Sequence, residues 1–404
     1  MSTTWQNRYA ERMAGVNSSI IRELLKLTQI PGLISFAGGL PAPEIFPIDV
    51  CNSAATTLLQ TQGQQALQYS ATEGYTPLRQ FIADKLNRMG MNFTVDNILI
   101  TSGSQQALDI IGKIFIDPHD NVLTERPSYL GALQAWKAYQ SEFVTVPVDN
   151  DGVDVDAMEA VLKSNPKFMY ILPNFQNPAG VTLSLERRKK LVALANQYGI
   201  PIVEDDPYGE LRYEGDDLPS LVALDRKLHD DDDGNVLYLG TFSKIFAPGL
   251  RLGWMAGPTA VIQKCTMAKQ GADLHTSTFT QMLLYEIAKD GFLDEHKQLI
   301  RRVYKERRDI MLEGLEKHMP DGVTWTHPQG GLFLWVTLPE EMQARDVFDR
   351  ALENKVAFVP GSAFFPESDS GYTGHNTMRL NFSNAKPDQI AIGIERLGQA
   401  IRNS

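Results

Sequence analysis

Short apolar runs alternate with stretches of helical periodicity between about residues 50 and 290 of this chain. Runs of this length that are bounded by turn residues predict buried strands. The seven predicted strands are 97–101, 121–124, 143–148, 168–172, 200–205, 236–241 and 252–256. The spacing of apolar residues between them predicts helices over 105–115, 131–139 and 185–198. The alternation predicts an α/β fold, in which a large domain has a mostly parallel seven-stranded sheet covered by helices on both faces.

The pattern changes after residue 291. A long charged stretch with apolar residues at helical spacing predicts one helix over 292–319, which ends at Pro320. The strand-like pieces 331–337 and 378–382 then predict a smaller α+β domain. The first 45 residues, with a predicted helix over 20–27, are expected to pack on that domain or to reach a partner subunit. The expected parts are an N-terminal segment (1–45), a large domain (46–291) and a small C-terminal domain (292–404).

Composition excludes several classes of protein. The 404 residues are 43% hydrophobic and 22% charged, which is ordinary for a soluble enzyme. A net charge of −11 argues against a nucleic-acid partner. Two cysteines without CxxC spacing indicate no disulfide framework and favour a cytoplasmic location. The N-terminus lacks the apolar core of a signal peptide, and no apolar run approaches the ~20 residues of a membrane span.

The segment 240–253 contains the first candidate chemistry. Lys244 follows a predicted strand and the hydroxyls of Thr241 and Ser243, and Arg251 lies seven residues further on. Desolvation of a lysine that leaves an apolar strand favours its neutral, nucleophilic form. Hydroxyls and an arginine suit a phosphate dianion. An amine beside a phosphate anchor is what a pyridoxal phosphate (PLP) enzyme needs, although most lysines are simply solvated surface residues.

A second candidate is the turn that opens the predicted helix 105–115. Gly103 and Ser104 precede this helix, and the free N–H groups and dipole of a helix N-terminus favour an anion. A capped helix start without a ligand is the alternative. The turn is neither a P-loop nor a dinucleotide-binding fingerprint, because their glycine and lysine spacings are absent.

Two acidic residues, Asp205 and Asp206, lie at the end of the predicted strand 200–205. Asp205 ends this strand, and a carboxylate there can hold a protonated pyridine nitrogen and keep the ring electron-poor. Tyr208 is placed to donate a phenolic hydrogen bond to the ring oxygen. The alternative is a helix start, because an aspartate before Pro207 is a good N-cap. We expect this capping role for Asp206.

Asn177 and Arg379 are two further candidates. Asn177 precedes a proline, which extends its backbone and lets its amide point towards the strand ends. Arg379 interrupts an apolar strand, and a buried arginine needs a paired anion. Its fork suits the α-carboxylate of an amino acid, and a structural ion pair is an equal alternative.

The aspartate-rich run 229–234 lacks the glutamate that a calcium loop places six residues after its glycine. That position is Gly240, so we expect a solvated acidic turn and no metal site.

Along the chain the motifs occur in the order phosphate turn, Asn177, Asp205 with Tyr208, Lys244 with Arg251, and Arg379. This ordered set resembles the fold-type I PLP-dependent aminotransferases, and the resemblance covers nearly the whole chain. It implies that Lys244 forms the Schiff base with the cofactor and later acts as the general acid and base at the substrate Cα. It implies that Asp205 pairs with the pyridinium nitrogen of a cofactor held by the large domain, and that Tyr208 and Asn177 contact the ring oxygen. The other implied cofactor contacts are Gly103, Ser104, Gln105, Thr241, Ser243 and Arg251.

The same resemblance extends to substrate and partner. Tyr129 is similar to the aromatic residue that stacks on the cofactor ring, and a core tyrosine is the alternative. Tyr69 resembles a tyrosine lent to the neighbouring subunit's phosphate, which implies a homodimer with composite active sites. Arg379 is implied as the anchor of the substrate α-carboxylate, with Tyr69 and Asn177 also beside the substrate.

The segments 17–26 and 35–43 are similar to the 2-aminoadipate (α-aminoadipate) aminotransferase group. This implies that Ser19 and Arg22, on an N-terminal helix, meet the substrate side chain, and that Gly39 touches the substrate through its backbone. Arg22 pairs with an acidic side chain, or turns away to admit an aromatic or aliphatic one. The alternative is that Arg22 faces solvent.

The function implied is transfer of an amino group between an L-amino acid and 2-oxoglutarate by a ping-pong mechanism. Aminoadipate, aromatic and branched-chain donors stay open. Another PLP reaction, such as β-elimination or decarboxylation, is the alternative on the same scaffold. A non-enzymatic sensor domain is a third and less favoured reading, because the acidic chain begins almost directly at the predicted small domain.

Overall fold

The computed structural model describes residues 4–13, 16, 31–229, 232–366 and 371–404. The described strands are β1 (Ile34–Ser35), β2 (Ile98–Thr101), β3 (Asn121–Arg126), β4 (Glu142–Asp149), β5 (Gly152–Val153), β6 (Met169–Ile171), β7 (Ile202–Asp205), β8 (Val236–Thr241), β9 (Gly253–Ala256), β10 (Thr324–Trp325), β11 (Phe333–Thr337), β12 (Val356–Ala357), β13 (Val359–Pro360) and β14 (Thr377–Asn381). The described α-helices are Ile48–Ala66, Thr76–Arg88, Ser104–Phe115, Leu130–Lys137, Val155–Leu162, Leu185–Tyr198, Leu221–Asp225, Thr259–Asp273, Thr278–Ala288, Phe292–His318, Ala344–Glu353 and Pro387–Arg402.

The largest sheet has the strand order β2-β9-β8-β7-β6-β3-β4-β5. Strands β8, β7, β6, β3 and β4 are parallel, whereas β9 is antiparallel to both of its neighbours and β5 is antiparallel to β4. All seven predicted strands occur, so the mostly parallel α/β sheet is confirmed. The eighth strand, β5, has only two residues, which is too short to show a hydrophobic pattern.

Helices cover both faces of this sheet. On one face, Leu99 and Leu239 pack with Ile111, Trp136 and residues of the helix Thr259–Asp273. The opposite face belongs to a larger apolar cluster that continues into the C-terminal part of the chain. Strands that are buried on both faces read as nearly continuous apolar runs, which is why the sequence pattern identifies them. Polar residues therefore emerge mainly where the strands end.

A second, antiparallel sheet has the order β10-β11-β14-β13. The long helix Phe292–His318 packs against the C-terminal helix Pro387–Arg402, and its predicted end before Pro320 is confirmed. Strand β1 pairs in parallel with β12, so residues 34 and 35 join the C-terminal part of the chain. The division of the chain at residues 45 and 291 stays a prediction, and the predicted helix 20–27 lies outside the described residues.

The expected helix cap at Asp206 is wrong. Residues 206–209 form a turn, and the next α-helix begins at Leu221. The Asp206 carboxylate instead accepts hydrogen bonds from Gly209 N (2.9 Å) and Asn174 Nδ2 (3.0 Å). The physical reason is that buried donors from the neighbouring loop satisfy this carboxylate, so no helix N-terminus is required.

The acidic run 229–234 is only partly described, because residues 230 and 231 lie outside the described ranges. Asp232 is half-exposed and accepts hydrogen bonds from Thr259 N and Asn97 Nδ2, both at 2.6 Å. Among the described helices, none combines the length and apolar character that a membrane span requires.

Candidate active site

A cavity of about 420 Å³ opens at the carboxyl ends of the parallel strands. Ligands in open α/β sheets bind at this edge. The predicted site residues that line the cavity are Gly39, Ser104, Gln105, Tyr129, Asn177, Asp205, Tyr208, Thr241, Ser243, Lys244, Arg251 and Arg379. They come from both sheets and from the segment before residue 45, so the cavity is assembled by the whole fold.

Asp205 ends β7 and has two differently bonded carboxylate oxygens. Its Oδ2 accepts a hydrogen bond from the Tyr170 hydroxyl at 2.7 Å. Its Oδ1 is buried and has no hydrogen-bond partner. Burial raises the pKa of Asp205 to about 7, and the Tyr170 hydrogen bond opposes this rise. A buried acceptor without a donor fits the cationic N–H of a protonated pyridine ring.

Lys244 directs its amine into the cavity, where Nζ donates a hydrogen bond to the Gly39 carbonyl at 2.8 Å. Desolvation, together with the positive charges of Arg379 and Arg251, lowers the pKa of this amine to about 8. A pKa near 8 gives an appreciable neutral fraction at neutral pH, and the neutral amine is the nucleophile.

A cradle for a phosphate group lies where the helix Ser104–Phe115 begins. Gly103 has a left-handed φ of 79°, and a Cβ placed on it would lie 2.6 Å from Nη2 of Arg251. The buried Ser104 hydroxyl has no hydrogen-bond partner. Opposite them, the Thr241 and Ser243 hydroxyls lie 3.0 Å apart. A helix N-terminus, three hydroxyls and a guanidinium fit a phosphate dianion.

Arg379 lies in β14 and is 1% exposed. Its Nη1 donates to Asn177 Oδ1 and its Nη2 to the Ala37 carbonyl, both at 2.8 Å. The guanidinium lies 4.2 Å from the ring centre of Phe333. Among the described residues, no carboxylate lies within ion-pair distance of Arg379, and its Nε has no partner. The structural ion pair is therefore not observed, and a carboxylate ligand fits this arginine.

Two tyrosines complete the wall of the cavity. Tyr208 lies edge-on to Phe333, with ring centres 5.8 Å apart, and its hydroxyl is hydrogen-bonded to Asn177. Tyr129 packs its ring against Gly131. Burial raises the pKa of both phenols, so both stay protonated at neutral pH. They present hydrogen-bond donors and an aromatic surface to a ligand.

Among the predicted site residues that the structure describes, Tyr69 and Gly103 do not line this cavity, although Gly103 borders the Arg251 guanidinium. Tyr69 lies on the surface, where 78% of it is exposed and its ring meets His275 edge-on at 5.7 Å. Ser19 and Arg22 lie outside the described residues.

Tyr170 and Phe333 are functional candidates that the sequence reasoning missed. Tyr170 interrupts an apolar strand, and a buried tyrosine hydroxyl normally needs a partner. The tyrosine in an apolar strand is visible in the sequence. Its partner is explained by the structure, in which β6 pairs directly with β7, the strand that ends at Asp205. Phe333 carried no such signal, because its contact with Arg379 forms only when β11 and β14 pair.

Glu125, at the end of β3, was also missed. It is buried and accepts hydrogen bonds from Leu172 N (3.1 Å) and Gln176 Nε2 (3.3 Å). Gln176 Nε2 also donates to the Pro127 carbonyl at 2.8 Å. Burial raises the pKa of Glu125 to about 8. These hydrogen bonds connect the loops that carry Tyr129 and Asn177.

Comparisons with known proteins agree with this geometry. The family model described as aminotransferase class I and II matches residues 45–397. An aromatic-amino-acid aminotransferase of Thermococcus litoralis is 46% identical, over 98% of this chain and 95% of that protein. A 2-aminoadipate transaminase of Thermus thermophilus is 45% identical, over 99% and 98%. The crystal structure of the α-aminoadipate aminotransferase LysN of Thermus thermophilus, complexed with N-(5'-phosphopyridoxyl)-L-leucine, superposes with a TM-score of 0.91 at 44% identity and covers 99% of both chains.

Proposed function

The chain belongs to the class I and II aminotransferases, which are PLP-dependent enzymes of fold type I, and we propose that it transfers amino groups from L-amino acids to 2-oxoglutarate by a ping-pong mechanism. The observation that carries this proposal is one cavity that contains an amine with a lowered pKa, a buried carboxylate oxygen without a donor and a buried arginine without a carboxylate. These groups match the needs of an amino-acid substrate and its cofactor.

Each of these groups has a distinct task in the proposal. Bound PLP supplies an electron sink for the charge that develops at the substrate Cα. Asp205 keeps a proton on the ring nitrogen through Oδ1. The Lys244 amine takes the Cα proton and returns it, for which a pKa near 8 is suited. Arg379 holds the α-carboxylate and so orients the Cα–H bond towards Lys244.

The proposed contacts to the cofactor come from the ends of β2, β3, β6, β7 and β8 and from the segments that follow these strands. The phosphate contacts are Gly103, Ser104, Gln105, Thr241, Ser243 and Arg251. Tyr129 is proposed to stack on the ring, and Tyr208 and Asn177 to contact its ring oxygen. Removal of the phenolic proton is costly for buried Tyr208, so this residue acts as a donor in the proposal.

We propose that the enzyme accepts amino-acid donors with several kinds of side chain. The names of the relatives include aminoadipate and aromatic substrates, and the neighbouring crystal structure holds a leucine adduct. Leu40 and Phe333 give the described cavity an apolar wall, and its described cations are Lys244, Arg251 and Arg379. We therefore propose that apolar donors pack their side chains against this wall, and that Ser19 and Arg22 bind the polar side chain of aminoadipate.

A donor panel tests this proposal. Aminoadipate, phenylalanine and leucine are assayed with 2-oxoglutarate, and glutamate and the 2-oxo acid are quantified. We expect all three to react, and Arg22→Ala to lose kcat/KM for aminoadipate while keeping that for leucine. Product formation without 2-oxoglutarate would instead identify an elimination or decarboxylation reaction. Equal activity of Arg22→Ala across the panel would contradict the role of Arg22.

A homodimer with composite sites completes the proposal. Tyr69 is exposed and does not line the cavity of its own chain, which supports a role in a neighbouring subunit. Chains that carry Lys244→Ala and chains that carry Tyr69→Ala are unfolded, mixed in equal amounts and refolded together. In a composite dimer, one site of each mixed dimer has both native residues, so about a quarter of the wild-type activity returns. If Tyr69 serves its own chain, the mixture stays as inactive as its components.

A further inference from the structure

A second cavity, of about 440 Å³, lies on the other side of the segment that follows β7. It is enclosed by the end of the helix Thr76–Arg88, by residues 206–220 and by the start of the helix Phe292–His318. It is as large as the active-site cavity and falls within the usual volume of small-molecule sites, about 300–1,000 Å³. None of its lining residues has a role in the proposed reaction.

Positive charge prevails inside this cavity. Its basic lining residues are Lys85, Arg88, Arg212, Lys297 and Arg301, and its acidic lining residues are Asp206, Glu210, Asp217 and Asp294. The acidic groups are unevenly placed, because the side chains of Asp217 and Asp294 are 82% and 76% exposed. Asp206 is occupied by its hydrogen bonds to Asn174 and Gly209. Asp217 nevertheless pairs with Arg212 at 3.5 Å and Asp294 with Lys297 at 2.7 Å, and Glu210 is the buried carboxylate beside the lysines.

Glu210 is already shared between two lysines. Lys85 and Lys297 both pair with it, and the side chains of these lysines are only 11% and 14% exposed. The two ammonium groups hold the pKa of Glu210 at about 2, although burial alone would raise it. Lys297 also pairs with the exposed Asp294 at 2.7 Å, so the two lysines have two carboxylate partners, of which Glu210 is the buried one that they share.

Arg301 and Arg88 add charge without an acidic partner. Arg301 Nε donates to the Glu210 carbonyl at 2.8 Å. Among the described residues, no carboxylate lies within ion-pair distance of Arg301 or Arg88. The Arg212 side chain is 7% exposed and lies over the ring of Phe175. Burial lowers the pKa of Arg212, and the positive charge of Arg301 acts in the same direction. Arg212 itself pairs with Asp217 at 3.5 Å, which leaves Arg301 and Arg88 as the lining guanidinium groups available to bind an oxyanion.

We propose that this cavity is a second binding site, for a small anion with two or more carboxylate or phosphate groups, anchored by Arg301 and Arg88. The whole chain has a net charge of −11, whereas the basic residues that line this cavity outnumber the acidic ones by five to four. The site is distinct from the active-site cavity, since the two share no lining residue.

The two cavities are separated by a single segment of the chain. Asp205, Pro207 and Tyr208 line the active-site cavity. Asp206, Gly209, Glu210 and Arg212 line the second cavity. An anion that draws Arg212 towards itself, or repels Glu210, therefore acts on the turn that carries Tyr208. We expect anion binding to change the affinity for the amino-acid substrate, and the substrate to change the affinity for the anion by the same factor.

Calorimetric titration of the holoenzyme tests the site, with citrate and inorganic pyrophosphate as probes in separate arms. The Arg379→Lys variant is titrated in parallel, since it weakens carboxylate binding in the active site. We expect saturable binding of at least one probe that persists in Arg379→Lys. Tighter binding of citrate assigns a polycarboxylate ligand, and tighter binding of pyrophosphate assigns a phosphate ligand.

Variants of the cavity complete the test. Arg301→Gln and Arg88→Gln are each expected to weaken probe binding at least tenfold, while activity without the probe is unchanged. Arg302→Gln is the matched control, because Arg302 is exposed on the same helix and does not line the cavity. Thermal melting checks that each variant is folded. Because Arg301 and Arg88 lie on different helices, one variant still tests the site if the other does not fold. No saturable binding, or binding that Arg379→Lys abolishes and Arg301→Gln leaves unchanged, would overturn the proposal.

Discussion

The Tyr170 hydroxyl donates a 2.7 Å hydrogen bond to Oδ2 of Asp205 and leaves Oδ1 buried without a partner. This pairing assigns the two oxygens of one carboxylate to different tasks. Oδ2 is held by the protein, and Oδ1 is presented to the cavity. A hydrogen bond of this kind, from a residue behind a binding group, orients that group and sets its basicity.

Tyr170→Phe tests this relationship. Loss of the hydrogen bond removes an influence that opposes the burial-induced rise in the pKa of Asp205, so this pKa rises above about 7. The affinity for PLP is expected to fall about tenfold, since a hydrogen bond to a charged group contributes roughly 1.5–3 kcal/mol. The acid limb of the activity profile moves to higher pH. The dissociation constant from cofactor absorbance and the pH profile are measured.

Tyr238→Phe is the control for this variant. Tyr238 also donates to a buried aspartate, Asp206, at 3.2 Å, but that carboxylate lies outside the active-site cavity. Its pH profile is expected to match that of the wild type. An unchanged profile in Tyr170→Phe would show that the hydrogen bond has no influence on Asp205.

Lys244→Ala removes the amine proposed as the proton carrier. We expect kcat to fall by about a thousandfold or more, because general acid–base catalysis alone contributes roughly 10²–10⁴-fold. The absorbance of cofactor linked to the enzyme disappears as well. Lys189→Ala, at an exposed lysine, serves as the control. Full turnover by Lys244→Ala would contradict the proposed function.

The lowered pKa of Lys244 predicts a pH dependence in the apoprotein. The neutral amine reacts with aldehydes, so the labelling rate at Lys244 rises about tenfold per pH unit below its pKa and levels off above pH 8. A solvated lysine, with a pKa of about 10.4, would still gain reactivity at pH 10. Reductive labelling with PLP, followed by peptide mass spectrometry, measures both kinds of site. A rate at Lys244 that still rises between pH 9 and 10 would contradict the assignment.

Arg379→Lys keeps the charge but removes the guanidinium fork. Desolvation lowers the pKa of Arg379 to about 10, so the native side chain is still cationic at neutral pH. We expect kcat/KM to fall by about ten- to a hundredfold for every donor, since charge-assisted hydrogen bonds contribute roughly 1.5–3 kcal/mol. Arg345→Lys, at a side chain that is 70% exposed, is expected to behave as the wild type. Loss confined to one class of donor would assign Arg379 to the substrate side chain instead.

Gly103→Ala tests the phosphate cradle. The new Cβ would lie 2.6 Å from the Arg251 guanidinium and displace it, so PLP affinity is expected to fall by tenfold or more as a contact of roughly 1.5–3 kcal/mol is lost. Gly90→Ala is a matched control, because Gly90 has a similar φ of 85° and nothing within 4 Å of the added Cβ. Equilibrium dialysis of PLP measures both variants. Equal affinity in the two would contradict the cradle.

The sequence was informative wherever a residue follows a strand or opens a helix. Asp205, Lys244 and Ser104 occupy such positions, and strand ends in a parallel sheet converge on one edge. It was misleading at Asp206, where a good helix-capping sequence serves a turn instead. Helix-capping propensity depends only on residues near Asp206 in the chain. In the structure, however, the Asp206 carboxylate also accepts a hydrogen bond from Asn174, 32 residues away, which no local pattern indicates.

The order of strands and helices, the α/β class and the motifs of a PLP-dependent aminotransferase can be predicted from the sequence, because periodicity and strand-end residues are local properties. Which oxygen of Asp205 is free, and which partners hold Arg379, depends on how distant parts of the chain pack together. Asn177 and Ala37 lie 202 and 342 residues from Arg379 along the chain. Contacts at such separations arise only when the two sheets pack together, and no local pattern encodes them.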